Sequence, residues 1–230
     1  MLLARRHHRA HRGSDYRVFL CFPGRRLLLT SSFTDPEELT ALDLDAVARG
    51  RAPDWPRVDG PLIGVCTHGR HDACCAELGR PVASALTDSH PAETWEISHM
   101  GGDRFAANVL VLPEGLYYGR MDPGSASEVA WLHESGRLDL TRFRGRSSYP
   151  MAVQYAEIAL RRHLHEDRLD AVRLARREGG TSVFTHRGED GTREWAVAVS
   201  RRTDGEAQLT CSLERLSPVP VHDVVSIEQI

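Results

Sequence analysis

The sequence predicts an α/β fold: a mixed sheet with flanking helices, extended toward the C-terminus by additional helices and strands. Three observations carry that prediction. Short apolar, β-prone runs alternate with longer amphipathic stretches along the chain. The 230 residues are 41% hydrophobic, enough to bury a core, and 27% charged, ordinary for a water-facing surface. The longest apolar run is only a few residues, far short of the roughly 20 that a membrane helix needs.

Charge narrows the function classes. There are 29 Lys+Arg against 32 Asp+Glu, a formal net charge of −3, and all the basic residues except His are Arg. A dedicated nucleic-acid binder carries a strong basic excess, so nucleic acid is not an expected partner. Nor is a membrane. The opening MLLARRHHRAHRG lacks the apolar region and cleavage site of a secretory signal. Residues 1–15 read as a disordered basic tail, although His7, His8 and His11 have metal-binding side chains.

The elements follow in order. Residues 16–31 read as two strands around the Pro23-Gly24 turn. Residues 35–49 read as a helix, with Asp35 as N-cap and Pro36 at its first position. PLIGVC (61–66) is a short buried strand. Asp72 starts a helix over about 73–87, which Gly79 and Pro81 are expected to break or kink. TWEIS (94–98) is a strand followed by a glycine turn, and NVLVLP and LYYGRM form a hairpin around Glu114-Gly115. A short helix spans 125–134, and one or two longer helices span 150–177. Strands are expected near 181–186, 193–200 and 207–213, with turns at 188–191 and 203–205. The β-α-β-β-α order over 61–134 is that of a thioredoxin-like layer. One domain over 16–230 results, with its core at about 60–135 and an α+β extension at about 140–230.

Five cysteines, Cys21, Cys66, Cys74, Cys75 and Cys211, make an odd count without an export signal. That argues against a disulfide framework and for a reducing, cytoplasmic setting. Three of them fall within ten residues. Cys66 ends a strand and Cys75 lies in the first turn of the next helix, where an α/β sheet places ligand sites. The helix dipole there favours thiolate, the form that binds metals or attacks disulfides. The chain then delivers His99-Met100-Gly101-Gly102-Asp103, whose glycines permit a tight turn. Cys66, Cys75, His99 and Asp103 are therefore a candidate four-ligand metal site.

The strings CTHGRHDACCAELGRP and HMGGDRFAANVLVLPEGLYYGR resemble the sucrase/ferredoxin-like family of thioredoxin-like [2Fe-2S] ferredoxins. Its pattern is Cys, eight residues, Cys, then His-x-Gly-Gly-His. Cys66 and Cys75 fit that spacing, and His99, Gly101 and Gly102 fit the start of the second motif. The resemblance is strong over about 60–122 and implies a [2Fe-2S] cluster with two Cys on one iron and a second ligand pair on the other. Asp103 replaces the motif's final His, as it does in some members. Four readings therefore stand: Asp103 ligates; His68, His71 or Cys74 substitutes; the site holds zinc; or it holds no metal. Larger bacterial members carry a further segment before the equivalent of residue 16, so the resemblance also implies a shortened start.

Other residues weigh differently. Adjacent helix positions point about 100° apart, so Cys74 is expected as a buried small hydrophobe rather than a ligand. Cys21 and Cys211 read as core. His68 and His71 lie in the site loop as tuning groups or solvated side chains. Arg70 and Arg104 flank the ligand segments, as charge compensation, as a docking contact or as ordinary surface. Asn108 and Tyr117 read as structural. Arg161, Arg162, Arg168, Arg173, Arg176 and Arg177 read as a solvated face.

The resulting expectation is an iron–sulfur electron carrier that serves a redox partner protein. The alternatives are a thiol–disulfide oxidoreductase using Cys66 and Cys75, and a binding protein holding zinc or nothing. No pair of carboxylates suited to a sugar site is evident, so glycoside hydrolysis is not expected.

Overall fold

The computed structural model describes residues 1–7, 15–210 and 216–230. His8, His11 and Cys211 lie outside the described residues. Where the sequence predicts a disordered tail, Ala4–Arg5 form a short strand, β1, and His7 is buried. Most of the remaining tail, residues 8–14, lies outside the described residues.

The predicted N-terminal hairpin is present as β2 (Tyr16–Phe22) and β3 (Leu27–Phe33), joined by a 3-10 turn at Pro23–Arg25. The single helix expected over 35–49 is two pieces. Asp35 caps a 3-10 helix, Pro36–Ala41, through a capping box with Glu38. Leu42 then turns extended, and Asp43 accepts from the amide of Ala46 to start α1 (Leu44–Ala48). The second acidic cap in LDLD is what divides the segment.

Next come β4 (Leu62–Cys66), α2 (Ala73–Ser89) and β5 (Thr94–Ile97). Strands β4 and β5 are parallel, so α2 is the crossover between them. The helix runs unbroken through Gly79 and Pro81, contrary to expectation. Pro81 sits on its exposed face, where water can satisfy the carbonyl that loses its partner.

The hairpin around Glu114-Gly115 is β6 (Val109–Leu112) and β7 (Leu116–Tyr118), with Val111 opposite Leu116. Helix α3 (Pro123–Glu134) starts from an Asp122 capping box, and β8 (Phe143–Arg146) completes the sheet. The order is β1-β5-β4-β6-β7-β8, with β6 antiparallel to β4. Its middle, β5-β4-β6-β7, is the thioredoxin-like arrangement. Alternating residues Ile63, Val65, Val109, Val111, Leu116 and Tyr118 form one face of the core, against Val82 and Leu86 of α2 and Val129 of α3.

The C-terminal part is α4 (Met151–Leu164) followed by β9 (Val172–Glu178), β10 (Thr181–Gly188), β11 (Gly191–Ala207) and β12 (Ser217–Gln229). Val153, Ala156 and Leu160 of α4 pack on Val172, Phe184 and Val197 of this antiparallel sheet. The helical expectation for 150–177 holds only to Leu164. His165 adopts the left-handed conformation that ends α4, and Leu174 pairs with Phe184 in the sheet. The expected turn at 203–205 lies inside β11, as a register irregularity between Thr203 and Glu206. The expected strand at 207–213 ends at Ala207, with 211–213 outside the described residues.

Arg161 is not on a solvated face. It is fully buried, and Arg161 Nε and Arg146 Nε donate to Glu157 Oε1 at 2.9 and 3.1 Å. The Arg161 guanidinium also reaches the carbonyls of Glu166, Arg168, Leu169 and Val172, tying the loop after α4 to β9. Arg162, Arg168, Arg173, Arg176 and Arg177 are exposed as expected, but on two elements and the loop between them.

Candidate metal centre

Cys66 occupies the last position of β4, between two neighbours that fix it. Its amide donates to the Asn108 carbonyl at 3.0 Å, and the next amide, Thr67 N, donates to the Ile97 carbonyl at 3.2 Å. The chain then folds through a tight loop into α2, which brings Cys75, in the first turn, back beside Cys66. Helix and strand approach so closely that only glycine fits at position 79: a Cβ there would meet the Cys66 carbonyl oxygen at 2.1 Å.

The second ligand segment leaves the end of β5. Gly101 and Gly102 both have positive φ, at 89° and 77°, and turn the chain so that His99 and Asp103 face each other. Asn108 Nδ2 donates to the Gly102 carbonyl at 2.9 Å and closes this turn, the structural role expected of it. His99 Nε2 lies 3.1 Å from Asp103 Oδ1. The backbone amide of His99 donates to His68 Nδ1 at 3.3 Å, and His71 stacks on the His99 ring with centroids 3.8 Å apart.

The four predicted ligands fall into two overlapping groups joined at His99. Cys66, Cys75 and His99 offer donor atoms within 4.8 Å of one another, and so do His71, His99 and Asp103. His99 belongs to both groups: its Nδ1 is 3.9 Å from Cys75 Sγ, and its Nε2 faces Asp103. Asp103 Oδ1 is buried and accepts no hydrogen bond, its contact being with His99 Nε2, and a cation between the two would satisfy both donors. Cys74 is half-buried and points aside, its Sγ 3.7 Å from the Asp103 carbonyl oxygen. Arg70 and Arg104 are exposed, and Arg104 lies over the Phe105 ring.

Electrostatics favours a cation here. Burial, then the adjacent Cys66 thiol, pushes the Cys75 thiol far up, opposing the helix N-terminus that was expected to favour thiolate. Burial raises Asp103 despite the attraction of His99, and the nearby Asp72 raises it further. Burial holds His99 below its ordinary value, on the side of the neutral imidazole that binds metals. Asp72 is the N-cap residue of α2, as the sequence predicts, but its buried side chain makes no cap bond and instead lies beside Asp103 and Cys74. Its position just before Cys74-Cys75 reads as an ordinary N-cap, so the local pattern hid this placement.

Beneath the site, Glu96 receives Thr67 Oγ1 at 2.7 Å, Arg5 Nη2 at 2.6 Å and His7 Nδ1 at 2.5 Å. Burial raises its carboxyl, but Arg5, Thr67 and His7 outweigh that and hold it below the usual range. Cys21 is remote from this centre: its thiol donates to the Pro113 carbonyl, and burial, with Glu114, pushes it up to about 12. Among the described residues no helix is long and apolar enough to cross a membrane.

The pattern of the Sucrase/ferredoxin-like family matches residues 8–137. Altered inheritance of mitochondria protein 32 from Meyerozyma guilliermondii is 35% identical over 72 residues, which is 27% of this chain and 26% of that protein. The chain thus spans about a quarter of the curated relative it matches. No solved structure matches.

Proposed function

The chain belongs to the sucrase/ferredoxin-like family, and we propose that it is an electron-transfer protein holding a [2Fe-2S] cluster on Cys66, Cys75, His99 and Asp103. The observation that carries this reading is the donor set itself. The thiols of Cys66 and Cys75 share one donor group with His99, and Asp103 stands on the other side of His99, a mixed sulfur, nitrogen and oxygen donor set that supports a mixed-ligand cluster. When bound, such a cluster supplies one-electron chemistry.

The protein's own residues do the rest. Cys66 and Cys75 would give thiolates held by the C-terminal end of the inner strand β4 and by the start of α2. The Gly101-Gly102 turn, closed by Asn108, sets His99 and Asp103, and the His71 ring stacked on His99 limits its rotation. The exposed His71 side leaves an edge of the site open to a redox partner protein. Free cysteines throughout the described residues fit a reducing, cytoplasmic compartment. The thiol–disulfide reading is weaker, because it needs a thiol of low pKa and Cys75 is driven the other way.

One observation favours a second reading, a single zinc ion. The spread of at most 4.8 Å among Cys66, Cys75 and His99 donors is one that bonds of about 2.0–2.3 Å to one ion can close.

The test is metal content across variants. Cys66→Ala and Cys75→Ala lose iron and sulfide, while Cys21→Ala keeps both. Full iron and sulfide in Cys66→Ala would overturn the assignment.

A further inference from the structure

A second charged cluster borders this site without being part of it. Arg104 sits in the 3-10 turn after Gly102, Arg120 follows β7, and Arg144 lies on β8. All three guanidinium carbons lie over one ring, that of Phe105, at 4.7, 5.7 and 4.7 Å from its centroid. One aromatic face offsets part of one positive charge, not three.

The cluster is built into the backbone. Arg120 has a φ of 58°, the left-handed region that a non-glycine residue enters only when its surroundings impose it. Its amide donates to the Phe105 carbonyl at 2.6 Å. Gly119, beside it, has no space for a side chain: a Cβ would meet Phe105 Cβ at 2.9 Å. The 119–120 backbone is thus pressed onto Phe105, which carries Arg120 to the same ring as Arg104 and Arg144.

Several arginines of the chain pair with acids, as Arg137 with Asp167, Arg168 with Glu166 and Arg202 with Asp223. Among the described residues, none of Arg104, Arg120 and Arg144 forms an ion pair. Arg144 Nε is buried without a hydrogen bond. Burial, and after it the neighbouring charges of Arg120, Arg162 and Arg104, lowers the Arg144 pKa. Because arginine stays charged, a bound anion is what relieves that repulsion.

We propose that Arg104, Arg120 and Arg144, gathered around Phe105, form a binding site for an oxyanion group, a phosphate or a carboxylate. Guanidinium forks bind both groups in bidentate fashion, and the exposure of Arg104 and Arg120 leaves the site open to them. The inference stands apart from the metal reading, since the three side chains come from outside the ligand set.

Titration of the full chain with inorganic phosphate and with a hexaglutamate peptide tests it. The titrations are run at constant ionic strength against chloride and followed by the NMR signals of the arginine Nε–H groups and the Phe105 ring. Saturable binding is expected. Arg144→Gln and Arg120→Gln each weaken it by about tenfold or more, the scale of one lost charge-assisted hydrogen bond. Arg177→Gln, on β9, leaves it unchanged. If Arg144→Gln fails to fold, the exposed Arg120→Gln decides. A stronger response to phosphate identifies a free small anion as the source, and a stronger response to the peptide identifies an acidic segment of a partner. Absence of saturable binding to both probes, or equal binding by both arginine variants and the unaltered chain, would overturn the proposal.

Discussion

Gly79 of α2 lies directly over the carbonyl of Cys66, so close that a methyl group at position 79 would stand 2.1 Å from that oxygen. The helix that carries Cys75 and the strand that ends in Cys66 can meet only because this side chain is missing. Gly79→Ala is therefore expected to push the two cysteines apart. The predicted cost is about 3 kcal/mol of stability by chemical denaturation, at the upper end of overpacking effects, together with loss of metal. Ala is otherwise the better helix former, so a stabilised variant would contradict the packing argument.

In the proposed cluster, Asp103→His replaces an anionic oxygen ligand with a neutral imidazole. The predicted outcome is a retained cluster with a higher reduction potential, read by redox titration followed in the visible spectrum. An unchanged potential and spectrum would place Asp103 outside the ligand set.

Glu157 neutralises part of the charge of Arg146 and Arg161 in the buried layer between β8 and α4. Removing it leaves two buried guanidiniums without their carboxylate. Glu157→Ala is expected to cost about 3–5 kcal/mol in denaturant melts, far more than Glu128→Ala on the exposed side of α3. Equal costs for the two variants would show that the network contributes no more than a surface group.

Glu166 supplies a pH dependence. Arg168, helped by His186 and opposed by burial, lowers its carboxyl from the ordinary 4.5 to about 2. Because the folded value is depressed, its stabilising contribution is complete above about pH 4.5 and is lost as pH falls toward 2. The stability gap between the unaltered chain and Glu166→Gln should therefore narrow between pH 5 and 2. A gap independent of pH over that range would mean that the Arg168 contact does not act through charge.

Much of the site was legible because its signals are local. The cysteine spacing, the paired glycines and the strand-to-helix step each act within a few residues, and they set Cys66 and Cys75 beside His99, and His99 beside Asp103. The thioredoxin-like strand order was legible for the same reason. What escaped depends on distant partners. Residues 172–178 keep a helix-like mixture of apolar and basic groups, yet pair with β10 as a strand. Arg161 carries no local mark of burial; Glu157, Arg146 and four carbonyls brought by the fold make it possible. Asp72 is the helix N-cap the sequence predicts, but nothing local shows that its side chain turns toward Asp103 instead of capping, and the Phe105 arginines come from three separate segments.

The most direct test for a [2Fe-2S] centre is the absorption spectrum of protein purified without air, with iron, sulfide and zinc assayed on the same sample. The expected result is a brown protein with broad bands between about 300 and 600 nm and about two iron and two sulfide per chain. A colourless protein that holds zinc, or no metal even after reconstitution with iron and sulfide, would contradict it.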